Sequence, residues 1–382
     1  MATPRVMSDR TAAMQPSLIR AVHDRKRPSS LNLGLGQPSL PVPDPIIDEG
    51  LRRLRAGSMG YTANAGLAGL RSAIAAHHAL PGRSSADSVV VTCGAQEAIF
   101  ALLTGLLDPG DEIIVPDPGF PSYEAVARLL GARPIRVARS VASDFRLDVD
   151  AIATALSPRT RAVVVNSPAN PTGMVDDQAQ VERLAALAEE RDFDVVSDEI
   201  YADLYYRSGR VPSAARHTER AYLISGLSKN CAMTGFRLGY VVGPPARLGG
   251  VLRAHHMAAT CAPVLSQHMA QFVFENPRWI TEQLPIYFER RGRALEALRK
   301  HVAAPVLEPD GAFYLFVDLS AHTDDSLQFA LDLLDQTDVI TAPGRAFGEV
   351  ARGWLRLTFA DEPGVFDEAA KRIGDYLRTR SR

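Results

Sequence analysis

The segment from Ser225 to Tyr240, which reads SGLSKNCAMTGFRLGY, guides the interpretation of the whole chain. Lys229 lies among small and polar residues just after one apolar run, and Arg237 follows eight positions later, just before another. A lysine held in a dry pocket has a lowered pKa and can attack carbonyl groups, whereas an exposed loop lysine has no such chemistry. The segment alone leaves both interpretations open.

Short apolar runs extend outward from this segment through the middle of the chain. They are rich in Val and Ile and do not alternate strictly with polar residues, which is typical of strands buried on both faces. Helical periods separate most of them, at 95–107, 121–130 and 181–190. This predicts an α/β fold with a mostly parallel seven-stranded sheet flanked by helices, in which the last two runs introduce an antiparallel strand. The runs are 88–92, 112–116, 134–137, 162–166, 194–198, 222–225 and 239–243.

The two ends of the chain differ from the middle. The first 45 residues are irregular and become rich in proline, and a long helical pattern spans 282–301. Hairpin-like strands near 313–317 and 355–359 and a helix near 363–377 follow. We predict a large domain at 46–275 and a smaller α+β domain formed by 1–45 and 276–382. Composition does not establish that the two ends pack together.

Composition narrows the class of protein. Hydrophobic residues make up 46% and charged residues 23% of 382, which is ordinary for a globular chain with a large core. The net charge of -2 shows no basic excess, and the basic run at 23–27 is interpreted as the solvated end of a helix, so no nucleic-acid partner is expected.

Other sequence features bear on the compartment. No run of 18 apolar residues indicates a membrane span, and no apolar signal region follows the first residues. The three widely spaced cysteines do not form a disulfide framework, which favours a reducing compartment. A cytoplasmic enzyme is therefore expected.

Two of the apolar runs end in candidate ligand-binding residues. Ligands of open α/β sheets bind at the carboxyl ends of the strands. Gly94 and Ala95 open a helix after the first run, which leaves backbone N–H groups free to hold an anion. Asn170 follows a later run in a segment with two prolines, and its bond to Pro171 is a candidate for the cis form. A plain helix start and an ordinary turn remain the alternatives.

A third run ends in an acid. Asp198 closes a wholly apolar strand, where a carboxylate is costly to bury without a positive partner, although a helix cap is the ordinary alternative. Tyr201 follows three residues later, so that both could share one face. An anion site, an acid, a phenol, an amide and Lys229 thus each end a strand of one sheet. Pyridoxal phosphate needs this set: donors for its phosphate, a lysine for its aldehyde and a carboxylate for its ring nitrogen.

At this point the chain resembles the class I/II aminotransferases, which are pyridoxal-phosphate enzymes of fold type I. The resemblance runs from about Leu31 to Phe359, and the strongest signal is the pattern S-K-x-x-x-x-T-G-x-R-L-G-Y around Lys229. It implies transfer of the amino group of an L-amino acid to a 2-oxo acid, with 2-oxoglutarate as the expected acceptor. Lys229 would form the internal aldimine and move the substrate proton.

The resemblance also implies roles for other residues, as cofactor ligands and as substrate ligands. The phosphate ligands would be Arg237, the helix start at Gly94, Ala95 and Gln96, more weakly Ser228, and Tyr61 from a neighbouring subunit. The ring contacts would be Phe120 stacked on the pyridine, Asn170 and Tyr201 on the phenolic oxygen, and Asp198 on the ring nitrogen. The substrate carboxylate would meet Arg356, the backbone N–H of Gly36, and Asn170. The role of Tyr61 would make the protein a homodimer with shared active sites.

Two departures from the family pattern bear on the site. Many relatives have a serine at the position of Gly226, so no side-chain phosphate contact is expected there. Some aspartate-specialised relatives carry a lysine at the position of Gln96, and its absence argues against strict dicarboxylate specificity.

Alternatives stay open at this stage. A β-lyase, cyclase or decarboxylase would use almost the same residues, and a cofactor-sensing domain of a transcription regulator would need an added DNA-binding module. His255, His256 and His268 lack a convincing ligand spacing, so no metal site is expected.

Overall fold

The computed structural model describes residues 7–12, 14, 16–57 and 59–380. The first six residues of the predicted N-terminal arm and the last two of the C-terminal segment therefore lie outside the described residues. The strands are β1 (Leu31–Asn32), β2 (Val89–Thr92), β3 (Glu112–Asp117), β4 (Arg133–Ala138), β5 (Thr160–Asn166), β6 (Asp194–Asp198), β7 (Ala221–Gly226), β8 (Gly239–Val242), β9 (Val306–Leu307), β10 (Tyr314–Asp318), β11 (Val339–Ile340), β12 (Ala342–Pro343) and β13 (Trp354–Thr358).

Helices connect and cover these strands. They are α1 (Asp9–Ala12), α2 (Leu18–His23), α3 (Asp44–Ala56), α4 (Ala68–His78), α5 (Ala95–Leu106), α6 (Ser122–Leu129), α7 (Val149–Ala155), α8 (Gln178–Arg191), α9 (Gly249–Ala259), α10 (Val264–Glu275), α11 (Arg278–Thr281), α12 (Leu284–His301), α13 (Ser326–Thr337) and α14 (Pro363–Arg380). No described helix combines the length and apolar character needed to cross a membrane.

A seven-stranded sheet forms the centre of the molecule, as predicted. Its strand order is β2-β8-β7-β6-β5-β3-β4. The pairs β3–β4, β3–β5, β5–β6 and β6–β7 are parallel, whereas β8 runs antiparallel to both of its neighbours. The expected antiparallel strand is therefore confirmed at the last apolar run.

The Val-rich runs form strands because both faces of this sheet are covered. Along β2, Val89 and Val91 belong to one core cluster and Val90 to the cluster on the opposite face. Along β5, Val163 and Val164 divide in the same way. Successive side chains of a strand point to opposite faces of the sheet. When helices cover both faces, every position is buried, so apolar residues do not alternate with polar ones.

The two ends of the chain pack together, which composition could not establish. β1 pairs in parallel with β11, and Val22 and Leu33 share a core cluster with residues of α12, α13 and α14. A separate four-stranded sheet has the order β12-β13-β10-β9. The strands predicted near 313–317 and 355–359 pair antiparallel as β10 and β13, although α13 separates them, so they do not form a hairpin. The boundaries at 45/46 and 275/276 stay a prediction.

The prediction that the first 45 residues are irregular is wrong in part. α2 forms there, and the Ser17 side chain caps it by accepting a hydrogen bond from the Arg20 N–H at 3.3 Å. α2 ends at His23, the first residue of the basic run 23–27, which agrees with the interpretation of that run as the end of a helix.

Candidate active site

The predicted residues meet at one edge of the seven-stranded sheet. β5, β6 and β7 are parallel, so the segments that follow them, with Asn170, Asp198 and Lys229, emerge on the same side. β8 is antiparallel to β7 and β2, so its amino end lies at that same edge. The antiparallel strand thereby brings Arg237, two residues before β8, to the side where Gly94 follows β2.

Lys229 is the central cation of this edge. Its Nζ donates a hydrogen bond to the backbone oxygen of Gly36, at 2.6 Å. Burial, followed by the positive charges of Arg356 and Arg237, lowers the pKa of Lys229 to about 8, against an opposing contribution from Asp198. A larger fraction of this amine is therefore neutral near pH 8 than for an exposed lysine, and a neutral amine is a nucleophile and a base.

Asp198 is buried at the end of β6 with two hydrogen-bond donors. Its Oδ2 accepts from the hydroxyl of Tyr123 at 2.6 Å, and its Oδ1 accepts from the N–H of Ile200 at 3.2 Å. Burial raises the pKa of Asp198, and the two hydrogen bonds partly offset that rise. A cation placed beside this carboxyl group would therefore stabilise its ionised form.

Arg356 lies on β13 and is only 3% exposed. Its Nη1 donates to Oδ1 of Asn170 at 2.8 Å, and its Nη2 donates to the backbone oxygen of Gly34. The guanidinium carbon lies 4.3 Å from the ring centroid of Tyr314 and 5.0 Å from that of Phe347. Its buried Nε has no hydrogen-bond partner among the described residues, so one donor remains available to a ligand.

Tyr201 and Asn170 complete the centre of the site. The hydroxyl of Tyr201 forms a 2.6 Å hydrogen bond with the hydroxyl of Tyr314. The N–H of Asn170 donates to Oδ1 of Asn166 at 2.8 Å, and the bond from Asn170 to Pro171 is cis, which confirms that expectation. Burial raises the pKa of Tyr201 well above its usual value, so this phenol keeps its proton at neutral pH.

The start of α5 forms the second end of the site. Gly94 has φ 89°, and a Cβ there would lie 2.6 Å from Nη2 of Arg237, so only glycine lets the two segments approach this closely. Arg237 is exposed and donates to the backbone oxygens of Thr234 at 2.9 Å and Cys93 at 3.4 Å. Ala95 is the first residue of α5, and its N-cap, Gly94, has no side chain that could accept a hydrogen bond from the first turn. The N–H of Gly94 donates to the backbone oxygen of Thr92 at 2.9 Å, so the N–H groups of Ala95 and Gln96, with the guanidinium, form a cradle for an anion.

The remaining predicted residues lie around the Lys229–Arg356 region and the start of α5. Gln96 accepts a hydrogen bond from the hydroxyl of Ser122 at 3.0 Å, and the ring of Phe120 lies edge-on to that of Tyr123. Ser228 is buried beside Lys229. Tyr61 is 86% exposed, so this single chain leaves its phenol largely in solvent.

Three aromatic residues of the site were missed from the sequence. Tyr123 lies in the first turn of α6, and its hydroxyl reaches Asp198, 75 positions away, only because α6 packs on this edge of the sheet. Tyr314 and Phe347 have no local signal, because only the pairing of β10 with β13 brings the region of Tyr314 to Arg356.

Comparison with known proteins identifies the class to which this fold and site belong. The family model described as aminotransferase class I and II matches residues 28–373. The aspartate aminotransferase of Pyrococcus abyssi is 31% identical, with 98% of this chain and 99% of the relative covered. The aromatic-amino-acid aminotransferase 2 of Thermococcus litoralis is 30% identical over 98% and 99% of the two chains. The structure of Thermus thermophilus aspartate aminotransferase with maleate has a TM-score of 0.90 at 32% identity and covers 97% of this chain and all of that one.

The chain therefore belongs to the class I and II aminotransferases. It is a transferase of that pyridoxal-phosphate-dependent class, as the resemblance predicted.

Proposed function

We propose that this protein transfers the amino group of an L-amino acid to a 2-oxo acid, with 2-oxoglutarate as acceptor, and that Lys229 holds the cofactor covalently. The observation that carries the proposal is the position of a buried lysine with a lowered pKa between an acid at one strand end and two arginines. One arginine, Arg356, has an unpaired buried donor, and the other, Arg237, lies beside an uncapped helix start.

The residues fit pyridoxal phosphate at both ends. Arg237 and the N–H groups of Ala95 and Gln96 would hold the phosphate, with Ser228 beside them and Gly94 at the helix start, where its own N–H donates to Thr92. The cofactor, when bound, supplies an aldehyde for the amine and a ring that takes up carbanion charge. Phe120 would stack on that ring, Asn170 and Tyr201 would bond its phenolic oxygen, and Asp198 would face its nitrogen. A ring N–H⁺ would place a cation directly beside Asp198, whose pKa burial raises and the charge of Lys229 lowers only in part.

Lys229 would move the proton of the reaction. In its neutral form its amine would accept the α-proton of the substrate, and in its protonated form it would return a proton to complete the transfer. The pKa of about 8 supports this role, because the amine can both accept and release a proton near neutral pH. The contact with the Gly36 oxygen gives the side chain a resting position.

Arg356 would bind the α-carboxylate of the substrate. Its guanidinium is held in place by Asn170 and Gly34, which orients a charged donor group without further movement. Gly36 would add its backbone N–H. The same carboxylate recognition serves every α-amino acid and 2-oxo acid, so it permits two different substrates in turn.

A second copy of the chain would complete the site. The exposed Tyr61 would reach the phosphate of the neighbouring subunit's cofactor, in a homodimer with shared active sites. The three free thiols, Cys93, Cys231 and Cys261, support a reducing, cytoplasmic compartment for this dimer.

The relatives named above do not select one amino donor for this chain. One is an aspartate aminotransferase and another an aromatic-amino-acid aminotransferase, at 31% and 30% identity. The glutamine at position 96 supports a donor range that is not restricted to dicarboxylates.

An absorption experiment tests the proposal directly. The protein is loaded with pyridoxal phosphate, and single L-amino acids are added without any 2-oxo acid. We expect the yellow band of the lysine-bound cofactor to bleach with the correct donor and to return with 2-oxoglutarate. A band that bleaches with release of ammonia or carbon dioxide, and does not return, would contradict transamination.

Lys229→Ala is the matched variant for this experiment. Without its amine the chain can neither hold the cofactor covalently nor move the α-proton, so we expect no covalent adduct by mass spectrometry after borohydride reduction and no turnover. Lys26→Ala removes an exposed lysine and serves as the control. Normal turnover in Lys229→Ala would refute the assignment of this lysine.

A further inference from the structure

Tyr314 contacts residues of both halves of the proposed site, Arg356 of the small sheet and Tyr201 of the large sheet. It is fully buried on β10, the strand that pairs with β13. In that register Tyr314 lies opposite Thr358, and Phe316 lies opposite Arg356. Tyr314 and Arg356 are therefore diagonal neighbours on one face of the small sheet, close enough for an aromatic ring to contact a guanidinium.

The side chain of Tyr314 contacts both Arg356 and Tyr201. The ring face of Tyr314 lies against the Arg356 guanidinium, 4.3 Å from ring centroid to guanidinium carbon. Its hydroxyl lies 2.6 Å from the hydroxyl of Tyr201, which follows β6 of the large sheet. A Cβ at Gly36 would clash with the Tyr314 hydroxyl, so the loop that accepts the Lys229 hydrogen bond also packs on it.

The direction of the phenol–phenol hydrogen bond follows from the surrounding charge. Each hydroxyl has one proton, so in this pair one donates and the other accepts. Two cations face this pair: the guanidinium carbon of Arg356 lies 4.3 Å from the ring centroid of Tyr314, and Nζ of Lys229 lies 5.8 Å from that of Tyr201. The nearer and permanently charged guanidinium withdraws more electron density from its ring, which makes the Tyr314 hydroxyl the better donor. Tyr201 then keeps its own proton to donate elsewhere.

We propose that Tyr314 is a positioning residue that couples the two ends of the site: its hydroxyl donates to Tyr201, and its ring holds Arg356. This inference rests on the proposed function, in which Tyr201 bonds the phenolic oxygen of the cofactor and Arg356 binds the substrate carboxylate. A hydroxyl that accepts a hydrogen bond becomes a stronger donor, so Tyr314 strengthens the bond from Tyr201 to the cofactor.

The cofactor, when bound to Lys229, would carry a titratable proton near its phenolic oxygen. A donor on that oxygen draws away its electron density and lowers the pKa at which the proton leaves. Loss of the Tyr314 hydroxyl weakens this donor. The pKa of the lysine-bound cofactor is therefore expected to rise.

The test compares Tyr314→Phe with wild type and with Tyr206→Phe, all loaded with pyridoxal phosphate. Tyr206 is a matched control, because its buried hydroxyl donates to the backbone oxygen of Ala312, two residues before Tyr314. A pH titration of the visible band should show an upward pKa shift of about half a pH unit in Tyr314→Phe only. No shift, a downward shift, or an equal shift in Tyr206→Phe would overturn the role of the hydroxyl.

A second variant tests the ring. Tyr314→Leu removes the stack on Arg356 as well as the hydroxyl, so KM for the amino acid should rise about threefold to tenfold above that of Tyr314→Phe. Equal KM values in the two variants would overturn the role of the ring. If Tyr314→Leu does not fold, the isosteric Tyr314→Phe still decides the hydroxyl contact. A wild-type protein that forms no band would instead refute the proposed function.

Discussion

The two arginines of the site belong to regions that are built in different ways. Arg237 lies in an exposed loop of the large sheet and donates to backbone oxygens, one of them only three residues away. Arg356 is buried in the small sheet and contacts Asn170 and Gly34, which are 186 and 322 positions away in sequence. Arg237 also reaches Cys93, 144 positions away, but each of its partners lies at a strand end that local sequence predicts. The contacts of Arg356, by contrast, depend on long-range pairing that no local pattern indicates.

The largest expected effect follows replacement of Arg356. Arg356→Leu removes the unpaired Nε–H and the second N–H of a terminal nitrogen, which together would bond the two carboxylate oxygens, and each such charged hydrogen bond is worth about 1.5–3 kcal/mol. We expect kcat/KM for the amino acid to fall roughly 1000-fold. Cofactor affinity should change by less than about threefold, because the arginine does not reach the phosphate end. Steady-state kinetics and a cofactor titration measure the two quantities.

The control for Arg356→Leu is Arg352→Leu, which removes an exposed arginine just before the same strand. Its kinetics should match wild type. If Arg356→Leu kept kcat/KM within tenfold of wild type, or if it lost cofactor instead, the division between the two ends would be wrong.

Replacement of Arg237 is expected to have a smaller effect, and on cofactor affinity rather than on kcat/KM for the amino acid. Arg237→Gln removes one charged contact to the phosphate, and the uncapped start of α5 remains to hold the anion. Cofactor affinity should fall about tenfold, at the low end for a charged hydrogen bond because the side chain is exposed. At saturating cofactor, kcat should stay within about threefold of wild type.

Titration of the cofactor-free variant with pyridoxal phosphate measures this effect, and Arg253→Gln, an exposed arginine on α9, is the control. Unchanged affinity would show that the backbone N–H groups alone hold the phosphate. A large loss of kcat with normal cofactor affinity would contradict the assignment of Arg237 to the phosphate.

The same contrast explains what the sequence could predict. The strands of the large sheet were predicted within one or two residues, because burial on both faces leaves uninterrupted runs of Val and Ile. Lys229, Asp198 and Asn170 follow such runs directly, and parallel strands bring their carboxyl ends to one edge. Position relative to a strand end is readable from local sequence.

The contacts around Arg356 could not be predicted from local sequence. Tyr314 reaches the site only through the register of β10 against β13, and Tyr123 only through the packing of α6 on the edge of the sheet. Pairing of distant segments is a tertiary property that no short pattern carries. The packing of the N-terminal arm on the C-terminal helices, through β1 and β11, was hidden for the same reason.

The smallest expected effect concerns Lys229, which lies between the two ends. In the cofactor-free protein burial lowers its pKa from 10.5 to about 8, with Arg356 and then Arg237 as the next contributions. Removing a cation removes a repulsion that disfavours the ammonium form, so the pKa of Lys229 should rise in both variants. We expect a rise of about half a unit in Arg356→Leu and less in Arg237→Gln.

The rate at which an amine-reactive reagent modifies Lys229, followed by peptide mass spectrometry against pH, gives this pKa, with the exposed Lys26 as internal reference.

The lowered pKa of Lys229 also affects the pH dependence of stability. Because its pKa is lower in the folded than in the unfolded protein, the folded protein binds fewer protons. The contribution of Lys229 to stability should therefore improve as the pH rises from about 8 toward 10.5, and Lys229→Met should lack this change. A larger rise in the pKa of Lys229 in Arg237→Gln than in Arg356→Leu would contradict the expectation that Arg356 has the stronger influence. The amine would then be tuned mainly from the cofactor end, and substrate binding at Arg356 would have little influence on it.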